Sequence, residues 1–213
     1  MAVTIDELLI ADPPQAWREA GFAVDDDGTC RVGTVRIRLV GRERGTGIVG
    51  WSLRGLPGDG ATFDLDGIAT TSSAAAPPVP AAHVTGVTHI DHVVLLSPDL
   101  TRTRGALEAI GLDVRRERDA MLAGTPMRQM FFRLGEVILE VVGSPDETGE
   151  GPSSLWGITY TVADIDVAAE RLGVRTSVVK DAVQPGRRIT TLRHRDLGMS
   201  VRTALISPHV RRG

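Results

Sequence analysis

The sequence predicts an α+β fold made of repeated units, each with one strand, one helix and three further strands. Two observations carry this prediction. Residues 87–145 and 152–208 follow the same order of elements, and both end with "LG", a strand and "SP" (LGEVILEVVGSP and LGMSVRTALISP). The spacing between the halves is also nearly constant, because His92 precedes Gly157 by about 65 positions and Glu140 precedes Thr203 by about 63.

Each half shows the patterns of its elements in turn. The apolar runs HIDHVVLLSP and LWGITYTVA are typical of buried strands. The helices DLTRTRGALEAIG and DIDVAAERLG begin at Asp99 and Asp164, which are good N-caps, and stop at Gly111 and Gly173. Three strands are predicted after each helix: LDVRRER, MRQMFFRLG and EVILEVVGSP in the first half, and TSVVKD, RRITTLRHR and MSVRTALISP in the second.

The N-terminal residues 1–66 are predicted to be a degenerate copy of the same unit. TIDELLIADPP aligns with HIDHVVLLSPD, AWREAGFAV fills the helix position, and RVGTVRIRLVG aligns with RLGEVILEVVG. This alignment places Glu7 at the position of His92 and Arg38 at that of Glu140, so we expect a charge pair there. GIVGWSLRGL resembles the opening of a fourth copy whose remainder is too short to complete it. Residues 67–86, rich in Pro and Ala, are predicted to be an extended linker to residues 87–213.

Composition excludes several classes of function. Basic and acidic residues nearly balance, with a net charge of −3, so neither nucleic acid nor a membrane surface is an expected partner. Cys30 is the single cysteine and offers no internal disulfide or thiolate cluster. The N-terminus carries no secretory signal pattern and no apolar stretch reaches membrane-spanning length, so we expect a cytoplasmic protein. No P-loop, dinucleotide-binding fingerprint or nucleophile elbow is present.

A duplicated unit that opens with IDHVVL and closes with ILEVVG resembles the vicinal oxygen chelate superfamily, which includes glyoxalase I, extradiol dioxygenases, methylmalonyl-CoA epimerases and bleomycin-resistance proteins. The resemblance covers residues 87–208 well and residues 3–56 weakly. It implies that paired modules form curved sheets around a pocket. It also implies that a divalent metal is held by the histidine of the first strand and the acid of the last strand of each module. At those positions this chain has His92 and Glu140, then Gly157 and Thr203.

The resemblance implies two functions of different classes. One is a glyoxalase-like metalloenzyme of lyase, isomerase or dioxygenase type that acts on a small oxygenated molecule. The other is a metal-free small-molecule-binding protein of the bleomycin-resistance type. The cofactor is accordingly either one divalent metal (Zn, Fe, Ni or Mn) or none, because catalytic sites usually use three protein ligands and only His92 and Glu140 are in place. A further donor would come from Gln129 or from the partner subunit of a homodimer.

Each candidate also has a structural interpretation. His92 and Glu140 alone would make a buried histidine–carboxylate hydrogen bond. Strand alternation predicts that His89 faces away from His92. Trp156, beside Gly157, either floors a ligand cavity or packs in the core. Of Arg187 and Arg188, alternation lets only one point inward, where it would bind a carboxylate or phosphate; both could equally be solvated.

Overall fold

A computed structural model describes residues 2–122, 124–146 and 148–209, which fold into two mixed β-sheets with helices packed on them. The N-terminal unit contains β1 (Thr4–Ile10), α1 (Pro14–Glu19), β2 (Thr29–Val32), β3 (Val35–Leu39), a 3₁₀ turn (Arg42–Arg44), β4 (Ile48–Arg54), β5 (Thr62–Leu65) and β6 (Ile68–Ser73). Its six strands are ordered β2-β3-β1-β4-β6-β5.

The C-terminal unit forms the larger, eight-stranded sheet. Its elements are β7 (Val87–Leu96), α2 (Leu100–Ala109), β8 (Val114–Leu122), β9 (Thr125–Leu134), β10 (Val137–Gly143), β11 (Ser154–Val162), α3 (Ile165–Leu172), a 3₁₀ turn (Gly173–Arg175), β12 (Lys180–Asp181), β13 (Arg188–Thr191) and β14 (Arg202–Ile206). The strands are ordered β12-β13-β14-β11-β7-β10-β9-β8, so the first strands of the two modules are the central neighbours.

The two modules are related by a pseudo-twofold axis between β7 and β11. Val93 lies opposite Ile158, and on either side His92 faces Thr159 while Val94 faces Gly157. Each central strand has a parallel neighbour from the end of its own module, β10 beside β7 and β14 beside β11. The α+β fold of paired modules is therefore confirmed.

The predicted helix caps are also confirmed. The Asp99 carboxylate accepts from the backbone N–H of Arg102 at 3.0 Å and begins α2. Asp164 accepts from the N–H groups of Asp166 and Val167 at 2.9 and 3.2 Å and begins α3. These bonds satisfy amide groups that have no partner inside the first turn.

The predicted linker begins too early. Residues Ile68–Ser73 form β6, which pairs in parallel with β4 just as β14 pairs with β11. The fourth copy is therefore completed without a helix, by the hairpin of β5 and β6 alone. Residues 74–86 carry no regular structure and run along the edge of β2, where the amide of Ala81 donates to the Arg31 carbonyl at 3.0 Å. In the second module β12 has only two residues, shorter than the predicted TSVVKD strand.

The two units share one hydrophobic core. Phe22 of the N-terminal unit packs against Tyr160 of β11, with ring centroids 5.2 Å apart. At one edge the fully buried Asp12 carboxylate accepts from the backbone N–H and the hydroxyl of Ser200 at 2.6–3.0 Å. At another, Asp66 accepts from the hydroxyl of Ser153 at 2.5 Å. Among the helices of the described residues, none has the length and apolar character needed to span a membrane.

Candidate functional site

One face of the eight-stranded sheet carries the predicted site, and we call it the groove face, defined by His92, Glu140, Thr159 and Ala204. Alternation along β7 puts Val93 and Leu95 into the core and His92 and Val94 on the groove face. Glu140 lies beside Val94 on the parallel strand β10 and shares that face. The His92 Nε2 and Glu140 Oε2 atoms are 3.7 Å apart in a cleft of about 210 Å³. The predicted proximity of these two side chains is confirmed.

A β-bulge precedes His92. Thr159 faces His92 and the next residue, Tyr160, faces Ile90, so Asp91 is an extra residue on β7. Because of this bulge, His89 lies opposite Thr161, on the side of the sheet that Thr161 shares with Thr159. Strict alternation, from which we predicted that the two histidines face opposite sides, therefore does not hold between them. His89 nonetheless lies outside the cleft, near Gly33 of the N-terminal unit, with its Nδ1 2.9 Å from the Thr88 hydroxyl.

Asp91, the bulged residue, orients the His92 ring through a hydrogen bond to Nδ1, the ring nitrogen that points away from Glu140. Its carboxylate accepts from the ring Nδ1 of His92 at 2.8 Å and from the Arg187 guanidinium at 2.6 Å. Burial alone would raise the pKa of the Asp91 carboxyl, but the hydrogen bonds from His92 and Arg187 outweigh burial and hold that pKa well below its usual range. An ionised carboxylate can only accept, so Nδ1 carries the proton and Nε2 is the ring atom left for a ligand.

Arg187 is the inward arginine of the predicted pair, and it meets protein groups rather than a ligand. Its side chain is almost completely buried and donates to the Ser207 carbonyl at 2.8 Å and to the side chain of Gln184 at 2.5 Å. Arg188 points outward and pairs with the exposed Asp166. The prediction that only one of the two arginines points inward is confirmed. The carboxylate that Arg187 binds, however, is that of Asp91 and not that of a ligand.

A chain of hydrogen bonds continues from Glu140 toward solvent. Gln129 donates its amide to Glu140, and its carbonyl oxygen accepts from Arg118 Nε at 2.8 Å. Arg116 lines the same cleft two residues before Arg118. The opposite wall is formed by the second module and is mostly apolar, with Ala182, Val183, Gln184, Ile189 and Ile206.

The second module supplies no donor at the corresponding positions. The twofold register superimposes His92 on Gly157, as predicted, but it superimposes Glu140 on Ala204. Thr203, predicted at that position, is one residue away from it: Thr203 lies beside Ile158, is 1% exposed, and donates its hydroxyl to the Val201 carbonyl. Gly157 is closed to any side chain, because a Cβ there would lie 2.9 Å from the Arg202 carbonyl oxygen.

This donor set does not fit a metal held by three or more protein ligands. In the part of the chain that the structure describes, His, Cys, Asp and Glu side chains form no cluster of three or more with metal-binding geometry. Gln129, the predicted third donor, has its carbonyl oxygen occupied by Arg118. Two protein donors, from His92 and Glu140, fall below the three that catalytic zinc sites usually use.

Trp156 and Gly157 line a second cavity, of about 340 Å³, farther along the groove face. Trp156 is 40% exposed, so it is not a core residue, and the Arg202 guanidinium lies over its ring with Cζ 4.5 Å from the centroid. The other residues that line this cavity are Val94, Ile158, Thr159, Thr191, His194, Thr203 and Ala204. Burial lowers the pKa of His194 below its ordinary value, so its imidazole is neutral near pH 7.

The N-terminal copy has the predicted ion pair. Arg38 Nε donates to Glu7 Oε2 at 2.9 Å, and Arg38 lies beside Leu9 just as Glu140 lies beside Val94. The pair is at the solvent edge, with Arg38 38% exposed, so removing Arg38 should cost about 1 kcal/mol or less rather than the cost of a buried pair.

Comparison with solved structures shows the fold of the vicinal oxygen chelate superfamily, as the sequence resemblance predicted. A triple mutant of 4-hydroxymandelate synthase from Streptomyces coelicolor aligns with 100% of this chain and 94% of its own, at 18% identity and a TM-score of 0.64. A fusion of a xylose isomerase-like TIM barrel with 4-hydroxyphenylpyruvate dioxygenase aligns with 100% of this chain and 50% of its own, at 13% identity and a TM-score of 0.64. Methylmalonyl-CoA epimerase from Mycobacterium tuberculosis aligns with 59% of this chain and 91% of its own, at 18% identity and a TM-score of 0.46.

The other comparisons found nothing: no family model and no curated protein matches the sequence. At these identities the solved structures establish the fold and leave the chemistry to this chain's own residues.

Sequence reasoning missed Asp91, Arg116 and Arg118 as site residues. A signal for Asp91 was present, because the aligned openings TIDELLI and HIDHVVL share the dipeptide Ile-Asp. The bulge recurs as well: Asp6 is the extra residue of β1, and its carboxylate accepts from Arg36 at 2.5 Å and from the buried Arg54. The aspartate–arginine contact therefore belongs to the bulge in both units, and only in the C-terminal unit does it also hold a histidine.

Proposed function

We propose that this chain binds a small anionic organic molecule on the groove face, with His92, Glu140 and Gln129 contacting its polar atoms and without a resident metal. The observation that carries the proposal is the charge of the groove. Arg116, Arg118 and Arg202 line its two cavities, and Glu140 is the one carboxylate among the described residues that line them.

These arginines are available to a ligand. Within the described chain, Arg118 bonds only to the neutral amide of Gln129, Arg202 stacks on Trp156, and Arg116 has no carboxylate within salt-bridge distance. By contrast Arg128, on the same hairpin, pairs with Asp119 at 2.7 Å. Guanidinium groups bind carboxylate and phosphate through paired hydrogen bonds, so an unpaired set in a concave site favours an anion.

Thermal-shift and calorimetric titrations with small monocarboxylates at low ionic strength test the proposal. We expect stabilisation that weakens with added salt and falls at least about tenfold in affinity in Arg118→Gln, because a charge-assisted hydrogen bond is lost. Arg128→Gln removes the same charge from the other face of the hairpin and should bind like the wild type. Binding that is equal in both variants, or independent of salt, would refute the proposal.

A glyoxalase-like metalloenzyme is the second candidate, favoured by the orientation of His92. Its proton on Nδ1 leaves Nε2 facing Glu140 across 3.7 Å, which is an arrangement that two metal donors can adopt. Any metal there should bind weakly, because two donors leave the shell to water or ligand. Zn²⁺ and Ni²⁺ titrations of the wild type, His92→Ala and His89→Ala distinguish the candidates: metal that binds the wild type and His89→Ala with one-to-one stoichiometry and is lost in His92→Ala would favour the enzyme.

The expected homodimer stays a prediction. Both walls of the cleft come from a single chain, His92 from the first module and Ile189 from the second, so the groove does not require a partner subunit. Light scattering at micromolar concentration would determine the oligomeric state.

A further inference from the structure

The groove face has arginines at both ends and an apolar floor between them. Arg116 and Arg118 lie at the end that carries His92, which we call the His92 end. Arg202 lies over Trp156 at the other, the Trp156 end. Val94, Ala204 and Ile206 form the floor, and Ile189 of β13 lies opposite Ile206.

The two cavities are neighbours along the strands, and Glu140 of one is paired with Val94 of the other. On β7 the lining passes from His92 to Val94, and on β14 it passes from Ile206 to Ala204. On β13 it passes from Ile189 to Thr191, which lies opposite Ala204. Each step is two residues on one face, about 7 Å. A single extended molecule can therefore reach both ends.

The ends differ in the partners that the protein offers. Glu140 and Gln129 are present at the His92 end, so a ligand group there meets acceptors as well as guanidinium groups. At the Trp156 end the charged side chain is Arg202, whose described contact is the indole face. Stacking leaves the edge of the guanidinium, with its N–H donors, free for an anion.

We propose that the ligand is a dianion, with two anionic groups joined by an apolar spacer: one group binds Arg116 and Arg118 at the His92 end, and the other binds Arg202 at the Trp156 end. This inference rests on the proposed function. A monoanion with an apolar tail against Trp156 is the competing ligand, and the two differ in what Arg202 contributes to affinity.

Tryptophan fluorescence reports the Trp156 end selectively. Trp17 and Trp51 are fully buried in the N-terminal unit, with their indole N–H groups bonded to Asp12 and Thr70, whereas Trp156 is 40% exposed. A ligand that displaces water from Trp156 should change the emission of that residue alone. The Trp156→Phe variant should abolish the change.

The probes are α,ω-dicarboxylates from succinate to sebacate, each paired with the monocarboxylate of the same carbon number at fixed ionic strength. We expect at least one dicarboxylate to bind about tenfold or more tightly than its partner and to change Trp156 emission. Arg202→Gln should remove that advantage by weakening the dicarboxylate more than the monocarboxylate. Arg202→Lys should restore part of the advantage because the charge remains. Arg188→Gln, an equal charge change on the outward face of β13, should bind like the wild type.

The two proposals fail differently. If monocarboxylates bind through Arg118 and no dicarboxylate exceeds its partner, or if Arg202→Gln keeps the advantage, the dianion inference is overturned and the proposed function stands. If neither series binds and Arg118→Gln changes nothing, both are overturned. Circular dichroism of each variant confirms that the fold is retained, which the exposure of Arg202 leads us to expect.

Discussion

Replacing Arg187 by Met should strongly destabilise the fold through the charge that it leaves behind. The Arg187 and Asp91 side chains are 1% and 4% exposed, and their closest atoms are 2.6 Å apart. Without the guanidinium, the ionised Asp91 keeps the His92 Nδ1–H and a 3.4 Å contact with the Thr161 hydroxyl. The cleft wall also loses its attachment, because Arg187 bonds to Ser207 and Gln184.

The magnitude follows from breaking a buried pair on one side only. Removing one partner of such a pair costs roughly 3–5 kcal/mol, because the remaining charge is neither solvated nor compensated. The double variant Asp91→Asn with Arg187→Met removes both charges and should cost less than the sum of the single changes, by about 2 kcal/mol or more. A domain of this size has a total stability of about 5–15 kcal/mol, so Arg187→Met should remain folded but with a much lower urea midpoint.

Equilibrium unfolding in urea, followed by circular dichroism, measures these losses in the free energy of unfolding, and urea adds no salt that would screen the charges. Arg188→Met is the matched control. Arg188, the sequence neighbour of Arg187, makes an exposed pair with Asp166 that water already screens, so this substitution should change the urea midpoint little. If Arg187→Met and Arg188→Met have similar midpoints, or if the double variant is additive, Asp91 does not depend on Arg187 and the buried clamp is not a source of stability.

Three further predictions test the same geometry. Because the pKa of Asp91 is lowered on folding, its charge stabilises the fold above its ordinary pKa and the stabilisation is lost as pH falls; the urea midpoint of the wild type should therefore drop below about pH 4 more steeply than that of Asp91→Asn. Burial raises the pKa of Cys30 to about 12, so Ellman's reagent at pH 8 should label no thiol in the folded protein and one in urea; labelling of the folded protein would contradict its burial. Gly157→His should lower the free energy of unfolding by about 1–3 kcal/mol and add no Zn²⁺ affinity, because its Cβ meets the Arg202 carbonyl. Ala204→Glu adds a donor at a position on the groove face and should raise Zn²⁺ affinity. If Gly157→His raised Zn²⁺ affinity and Ala204→Glu did not, the assigned register would be refuted.

The sequence predicted the parts of this molecule that short-range patterns encode. The Asp99 and Asp164 caps follow from local hydrogen bonding, and the equal spacing of the halves led to His92 and Gly157 as equivalent positions. The Glu7–Arg38 pair followed from aligning one apolar strand with another. Each of these inferences needs only the period of a strand and the identity of a few side chains.

The bulge and the exact partner of Glu140 could not be read from the chain. A single extra residue leaves no mark in composition, so the bulge itself could not be predicted, although the repeated Ile-Asp dipeptide singles out Asp91. Strict alternation therefore does not hold for His89, which lies outside the cleft all the same. The Thr203 and Ala204 positions are equally compatible with a strand, and the ending "SP" set the alignment one residue off. Only the pairing of β14 with β11 shows which of them faces the groove. Pairing between strands far apart in sequence is the information that periodicity lacks.

Glycines at equivalent positions indicate why neither β4 nor β11 carries a side chain that corresponds to His92. Gly50 lies opposite Leu9 as Gly157 lies opposite Val94, so the two glycines are structural counterparts. A Cβ at Gly50 would lie 2.9 Å from the Ala69 carbonyl oxygen, the same distance that separates a Cβ at Gly157 from the Arg202 carbonyl. In both units the parallel neighbour is therefore too close to admit a side chain. Side chains at the positions of His92 and Glu140 can then act in one module only, and the other module offers a ligand backbone, apolar surface and Arg202, which is the asymmetry that the groove displays.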